Sequence, residues 1–399
     1  MKRLNKVLYN YVYFNAFPVI IIVQNLSVFF FPFLIMEFFK KKNLFFKKNN
    51  IIDYAVILFA IGAVLSVLSS INSPQEDSFT KGIAVLPNYI YWSLLILVFS
   101  YNAKNIDYQV VYKAVFWGVI STVVYFYTIS DILGNNTILF KGLQQNIFSF
   151  IIICFAPMAV YFGKEKWGKP RAIVLAILLV LAGTLSGSRS GSVLTLVTTF
   201  LTLYSERLSI PRVIGIVSAT LIGLVLLNLP IIKSTILQLN ERTYNIIYER
   251  EETLATDQSY LVRLAQVEKG VGLFKENPYF GIGLNNFNSR HYDIEGDFEG
   301  FDQLKGVEEL DQLSSHNSYV NVLAEGGVFL FVPFILMLIS FFVYFIYNFK
   351  RIPDYQKPFF WGILGMSIHF YFIFAIVNVF SWMLMAFAAS AIKRNSYNK

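Results

Sequence analysis

The sequence predicts an all-α, polytopic membrane protein, on three observations. Hydrophobic residues make up 56% of the 399 positions and charged residues 15%, with a mean hydropathy of +0.55. A soluble domain is roughly half apolar and a quarter charged. Apolar runs long enough to cross a bilayer alternate with short charged patches, which is the pattern of many spans rather than one buried core. Lys and Arg concentrate in the short connections, as they do on the cytoplasmic side of membrane proteins.

The basic patches set the order of the elements. They are Lys2, Arg3 and Lys6; Lys40, Lys41, Lys42, Lys47 and Lys48; Lys104; Lys164, Lys166, Lys169 and Arg171; Arg207 and Arg212; Lys350, Arg351 and Lys357; and Lys393, Arg394 and Lys399. If all lie inside, two spans separate each neighbouring pair. Apolar runs near 51–71, 83–101, 110–130, 145–163, 172–187, 191–205, 213–230, 326–348, 358–374 and 378–391 meet this rule. Residues 7–39 complete it as a tight hairpin turning near Gln24–Asn25, or as a re-entrant or interfacial pair, since each arm is shorter than the roughly 20 residues a span prefers. The expected total is about twelve transmembrane helices with both termini cytoplasmic. The N-terminal stretch reads as an uncleaved anchor, because no small-residue cleavage site follows it.

Three regions follow: an N-terminal transmembrane bundle of about nine spans over 1–230, an outer loop over 231–316, and a C-terminal bundle of about three spans over 317–399. In the loop, acidic residues outnumber basic ones nearly two to one, and translocating acidic residues carries little penalty. The turn at 186–191 falls on the same outer side.

Composition also excludes chemistries. The single cysteine, Cys154, sits in an apolar run, so neither a disulfide framework nor a Cys-based metal site is available. Three histidines, His291, His316 and His369, leave little room for zinc. No Walker-type loop is present, and no Asp-x-Asp pair lies outside to hold Mg²⁺. The formal charge of +8 sits in the inner loops, so it does not point to nucleic acid. Ion-coupled transporters place charges near the midplane; here His369 and Asn378 are the main polar residues within spans.

Three outer segments carry candidate chemistry. Ser186–Gly191 places Arg189 among Ser186, Ser188, Ser190 and two glycines. Arg189 reads either as an interfacial cation snorkelling to headgroups or as an anion ligand, since the serines and amides of a helix start bind anions and arginine recognises phosphate bidentately. Arg263 lies in Tyr260–Phe274, where apolar positions 261, 264, 267, 271 and 274 recur at helical spacing. That predicts an amphipathic helix on the outer membrane face, with Arg263 and Lys269 on or beside its polar side. Asn277–Phe287 follows as a loop with two glycines and a shaping role. Finally, His316 precedes Asn317, Ser318 and Tyr319, with Glu325, Gly326 and Gly327 further on. His316 reads as a helix-start capping residue or as a general base, given an unperturbed pKa of about 6.5. Glu325 is about two and a half helical turns on, so an ideal helix would put it on the opposite side.

Taken in order, Leu185–Ser192, Arg263 with Phe274–Leu284, and His316–Gly327 resemble the O-antigen ligase and O-antigen polymerase family of bacterial envelope glycosyltransferases. Gly142–Asn146 is a weaker fourth match, and the similarity spans about 140–350. The resemblance implies a membrane-embedded glycosyltransferase bundle (GT-C type) with one large outer loop over the site. It implies an inner-membrane location with the active site on the periplasmic face, a glycan donor on undecaprenyl diphosphate, and no metal or other cofactor. It also implies work alongside other polysaccharide-assembly proteins, such as a flippase and a chain-length regulator. By resemblance, Arg189 and Arg263 hold the diphosphate and His316 activates or orients the acceptor hydroxyl. Ser188, Ser190, Asn317 and Glu325 complete the substrate-binding set. The Arg189–Gly191 and His316–Tyr319 stretches resemble the polymerase branch more closely. A ligase acting on lipid A–core, a protein oligosaccharyltransferase, and a glycan or lipid transporter remain the alternatives.

Overall fold

The computed structural model describes residues 2–17, 50–73, 77–128, 144–205, 258–296 and 315–397, with isolated positions between. The predicted first turn at 24–25 and the predicted span at 213–230 lie outside the described residues. All regular structure among the described residues is helical. It comprises α1 (Lys2–Ala16), α2 (Ile51–Ser69), α3 (Ser78–Tyr101), α4 (Tyr108–Thr128), α5 (Gln145–Trp167), α6 (Lys169–Leu185), α7 (Arg189–Tyr204), α8 (Gln258–Glu276), α9 (Ser318–Asn348), α10 (Lys357–His369) and α11 (Val379–Tyr397).

Five of these, α2, α3, α4, α5 and α9, are long and apolar enough to cross a membrane. The 19 residues of α2 rise about 29 Å at 1.5 Å each, close to the roughly 30 Å of a bilayer's hydrocarbon core. Ile51, Leu58, Ile61 and Leu68 on α2, Val174, Ile177, Leu178 and Leu181 on α6, and Leu336, Ile339, Val343 and Ile346 on α9 are all exposed. Outward apolar stripes of this kind are what lipid solvates.

The core is built around α5, in which every residue from Phe148 to Gly163 is buried. Around it pack α4, α6, α7 and α10. A second layer pairs α9 with α2 and α11 with α3, joined by an aromatic cluster. Trp92 and Trp382 stack 5.1 Å apart, and Phe59 lies 5.0 Å from Trp382.

Successive spanning helices alternate in direction, which sorts the chemistry to two ends. At one end, Lys393 pairs with Asp53 at 2.8 Å, both buried, and Ser100 Oγ donates to the same carboxylate. Lys169 lies over the Tyr204 ring and Arg394 over Tyr108. The opposite end gathers residues 69–73 and 77–78, the 186–188 turn, the 277–296 loop and the start of α9.

Two elements depart from the sequence reading. The run expected to span 358–374 is helical only to His369. Its 13 residues rise about 20 Å, short of a full crossing, and 370–378 continue without regular structure. The reason is tertiary: Ser318 captures that segment. Its N–H donates to the Phe370 carbonyl (2.8 Å), its hydroxyl to the Ile373 carbonyl (2.7 Å), and it accepts from the Ala375 N–H (2.9 Å). The second departure is in α8. Its buried face carries Leu261, Ala265, Gln266, Lys269 and Leu273, while Val267 and Val271 are half-exposed. Lys269 is therefore buried rather than polar-side, with its ammonium 5.0 Å from the Phe287 ring centre. Helix α8 packs on protein, against α9. Gly270 permits the approach, since a Cβ there would meet Val320 at 2.1 Å, and Gly272 likewise admits Tyr292 of the following loop.

Candidate functional site

Helix α9 begins after a non-helical stretch, residues 315–317. Asn317 is its N-cap: the side-chain oxygen accepts from the Tyr319 and Val320 N–H groups at 3.0 and 3.2 Å, satisfying donors that a helix start leaves free. His316 does not cap. It sits just before, at φ +46, a left-handed conformation uncommon for a residue with a side chain. Such strain persists where neighbours impose it. Here Ser315 Oγ donates to the Asn317 carbonyl at 3.1 Å and the Asn317 cap fixes the next turn. The imidazole is half-buried. Burial, and then the positive charge of Arg263, lower its pKa below the ordinary 6.5, so the ring is neutral at neutral pH. The structure thus brings Arg263 of α8 within electrostatic range of His316.

Glu325 joins α9 to the 277–287 loop. It is 3% exposed. Its carboxyl group accepts hydrogen bonds from three successive backbone amides, Asn285, Asn286 and Phe287, and from the Asn321 side chain. Its own carbonyl accepts from Ser66 Oγ at 2.6 Å and from the Gly283 N–H at 3.1 Å. Ladder-like bonds extend the seam: Ile282 N–H to the Ala324 carbonyl, Phe329 N–H to Tyr279, and Val328 N–H to Pro278. Gly327 makes the seam possible. At φ +58 it kinks α9, and a Cβ there would stand 2.4 Å from the Tyr279 carbonyl oxygen. The Glu325–Gly327 and Asn277–Phe287 stretches, separate in sequence, are two sides of one clasp.

The serine-rich turn is assembled similarly. Ser188 is the N-cap of α7, accepting from the Gly191 N–H at 3.3 Å. Ser186 Oγ and Ser149 Oγ of α5 lie 3.0 Å apart. Arg189 is the first residue of α7 and Ser190, half-exposed, the second, so both stand at the positive end of that helix.

A continuous path of contacts joins the three segments. Ser149 holds the turn that precedes Arg189, and its neighbour Phe150 stacks on the His369 ring with centroids 5.6 Å apart. Phe370, next to His369, accepts the Ser318 N–H, two residues from His316. Arg263 acts electrostatically on both His316 and His369. The Arg189 helix start, Arg263 and His316 therefore lie toward one end of the described bundle. The sequence reading left His369 among span residues, and the available signal was its polarity in an apolar run.

Residues 173–335 match the family model for O-Antigen ligase. The similarity is confined to that segment, less than half of the chain. A search of curated proteins returns no match. The O-antigen ligase segment contains Arg189, Arg263, His316 and the whole clasp from Pro278 to Phe329; Ser149, Phe150 and His369 lie outside it.

Proposed function

We propose that the protein is a surface-polysaccharide polymerase. It transfers glycan from undecaprenyl diphosphate to the next lipid-linked repeat unit, on the periplasmic face of the inner membrane. What supports this reading is the electrostatic pairing of Arg263 with His316 inside the segment similar to O-antigen ligase, which also contains the helix start at Arg189. The described basic residues at helix ends cluster at the opposite end, which supports an outward-facing site.

In the proposed reaction, an acceptor hydroxyl oxygen bonds to the donor's anomeric carbon as the bond from that carbon to the diphosphate oxygen breaks. The electron pair leaves with the diphosphate, whose charge is met by Arg189 and Arg263; fixed cations of this kind are often the largest catalytic contribution. The hydroxyl proton passes to His316, kept neutral by burial and by Arg263 and so able to accept it. Within the substrate set, Ser188 and Asn317 shape helix starts through their caps, Ser190 remains for direct contact, and Glu325 positions the loop.

The matched description favours a second reading, an O-antigen ligase that moves finished polymer onto lipid A–core. Both reactions use the same donor site. Deletion of the gene followed by electrophoresis of the surface polysaccharide separates them. A single repeat on core supports the polymerase. Polymer stranded on the lipid carrier with bare core supports the ligase, and unchanged polysaccharide refutes both. Arg189→Ala, Arg263→Ala and His316→Ala proteins that insert normally are expected to fail in complementation.

A further inference from the structure

His369 is 2% exposed, and neither ring nitrogen has a hydrogen-bond partner among the described residues. Buried polar atoms are nearly always paired, and an unpaired one asks for an explanation. An imidazole with two such nitrogens is a poor choice for filling apolar space, where Phe or Leu packs without that penalty. The surroundings hold the ring by its faces: Phe150 stacks at 5.6 Å with planes 23° apart, and Phe372 lies at 6.4 Å. The ring is thus fixed while its hydrogen-bonding edge remains unused.

Its position is that of a site residue. It ends α10, where the chain leaves the helix for 370–378. Non-helical backbone at membrane depth is tolerated where it lies within protein or lines a cavity. The bond from Ser318 N–H to the Phe370 carbonyl, 2.8 Å long, places the backbone beside His369 against the backbone two residues from His316. The Arg263 charge reaches both imidazoles.

We propose that His369 is a substrate-binding residue of this site. One ring nitrogen donates a hydrogen bond to the donor's diphosphate beside Arg263, and the other accepts from a sugar hydroxyl. The proposal rests on the lipid-diphosphate reading above. It adds a ligand from the C-terminal helices, outside the matched family segment.

The test uses full-length protein in detergent micelles with farnesyl diphosphate as probe and farnesol as control. Affinity is measured by microscale thermophoresis and integrity by thermal unfolding. His369→Phe keeps the stacking and removes both nitrogens; His369→Asn restores one donor. The expected result is diphosphate binding by wild type and binding about 10-fold to 100-fold weaker in H369F at an unchanged or higher Tm. That range is the worth of one hydrogen bond to a charged group. Part of the affinity should return in H369N. Wild-type affinity in a stable H369F overturns the proposal and leaves the donor reading standing. Loss of Tm in both variants makes the position structural and overturns it as well. Failure of wild-type protein to bind farnesyl diphosphate, or equal binding of farnesol, overturns this inference together with the donor reading.

Discussion

Replacing Glu325 by alanine separates a clasp residue from a substrate ligand. In the native protein its carboxyl group receives the N–H groups of Asn285, Asn286 and Phe287 and the Asn321 side chain, at 3% exposure. Alanine removes the acceptor and leaves those donors buried. Each unsatisfied buried group costs about 1–3 kcal/mol. Phe287 and Asn286 are themselves buried, whereas Asn285 is exposed and can turn to water. Counting the two buried amides and Asn321, with partial relaxation, gives a loss of about 3–6 kcal/mol. Glu325→Gln keeps one acceptor oxygen but turns an NH₂ toward amide donors, and should lose about half as much. The assay is thermal unfolding in detergent, with limited proteolysis of residues 277–296 as a local probe. The expectation is a lower Tm and faster cleavage in that loop, alanine worse than glutamine. An E325A protein with wild-type Tm and an intact loop but no transfer activity would refute the clasp and restore Glu325 to the substrate set.

Three further outcomes follow from the same geometry. Gly327→Ala places a Cβ 2.4 Å from the Tyr279 carbonyl oxygen at φ +58; a destabilisation of about 2 kcal/mol or more is expected, read as loop cleavage matching that of E325A. For His316, NMR titration of ring-labelled histidine should give a midpoint below 6.5, because burial and Arg263 both disfavour the protonated form. Since the folded pKa lies below the unfolded one, stability from this group is present above 6.5 and is lost as pH falls through the folded midpoint. Arg263→Met should move the midpoint upward, and an unmoved midpoint would remove Arg263 from the neighbourhood of His316. At the far end of the bundle, Lys393→Met leaves Asp53 buried without its cation. A cost of about 3–5 kcal/mol is expected for breaking such a pair from one side. The double variant Asp53→Asn with Lys393→Met should recover most of the Tm, which a cycle of the four proteins measures.

Much of this protein was legible in its sequence because bilayer physics is read residue by residue. Apolar runs and their basic borders follow from the cost of moving charge through hydrocarbon, so the described helices from α2 to α7 lie close to the predicted spans. The three motif segments stood out because glycine, serine, arginine and histidine are conspicuous between such runs. What one strand of text does not carry is which buried groups find each other. Helical spacing puts Lys269 on or beside the polar side of α8, but α8 packs on α9 at Gly270 and on Tyr292 at Gly272, and Lys269 is buried. The apolar run at 358–374 looked continuous, but Ser318, which donates two hydrogen bonds to the segment after His369 and accepts one from it, ends its helix there. Glu325 stands far in sequence from the loop amides of Asn285 to Phe287 that its carboxyl group meets. Transfer free energy is a local, additive property, and so the membrane class, the apolar helices and the three motif segments can be read from the residues in order. Hydrogen-bond satisfaction depends on distant partners meeting, and so the packed fold alone shows which polar residues are held and which, like His369, find no partner among the described residues.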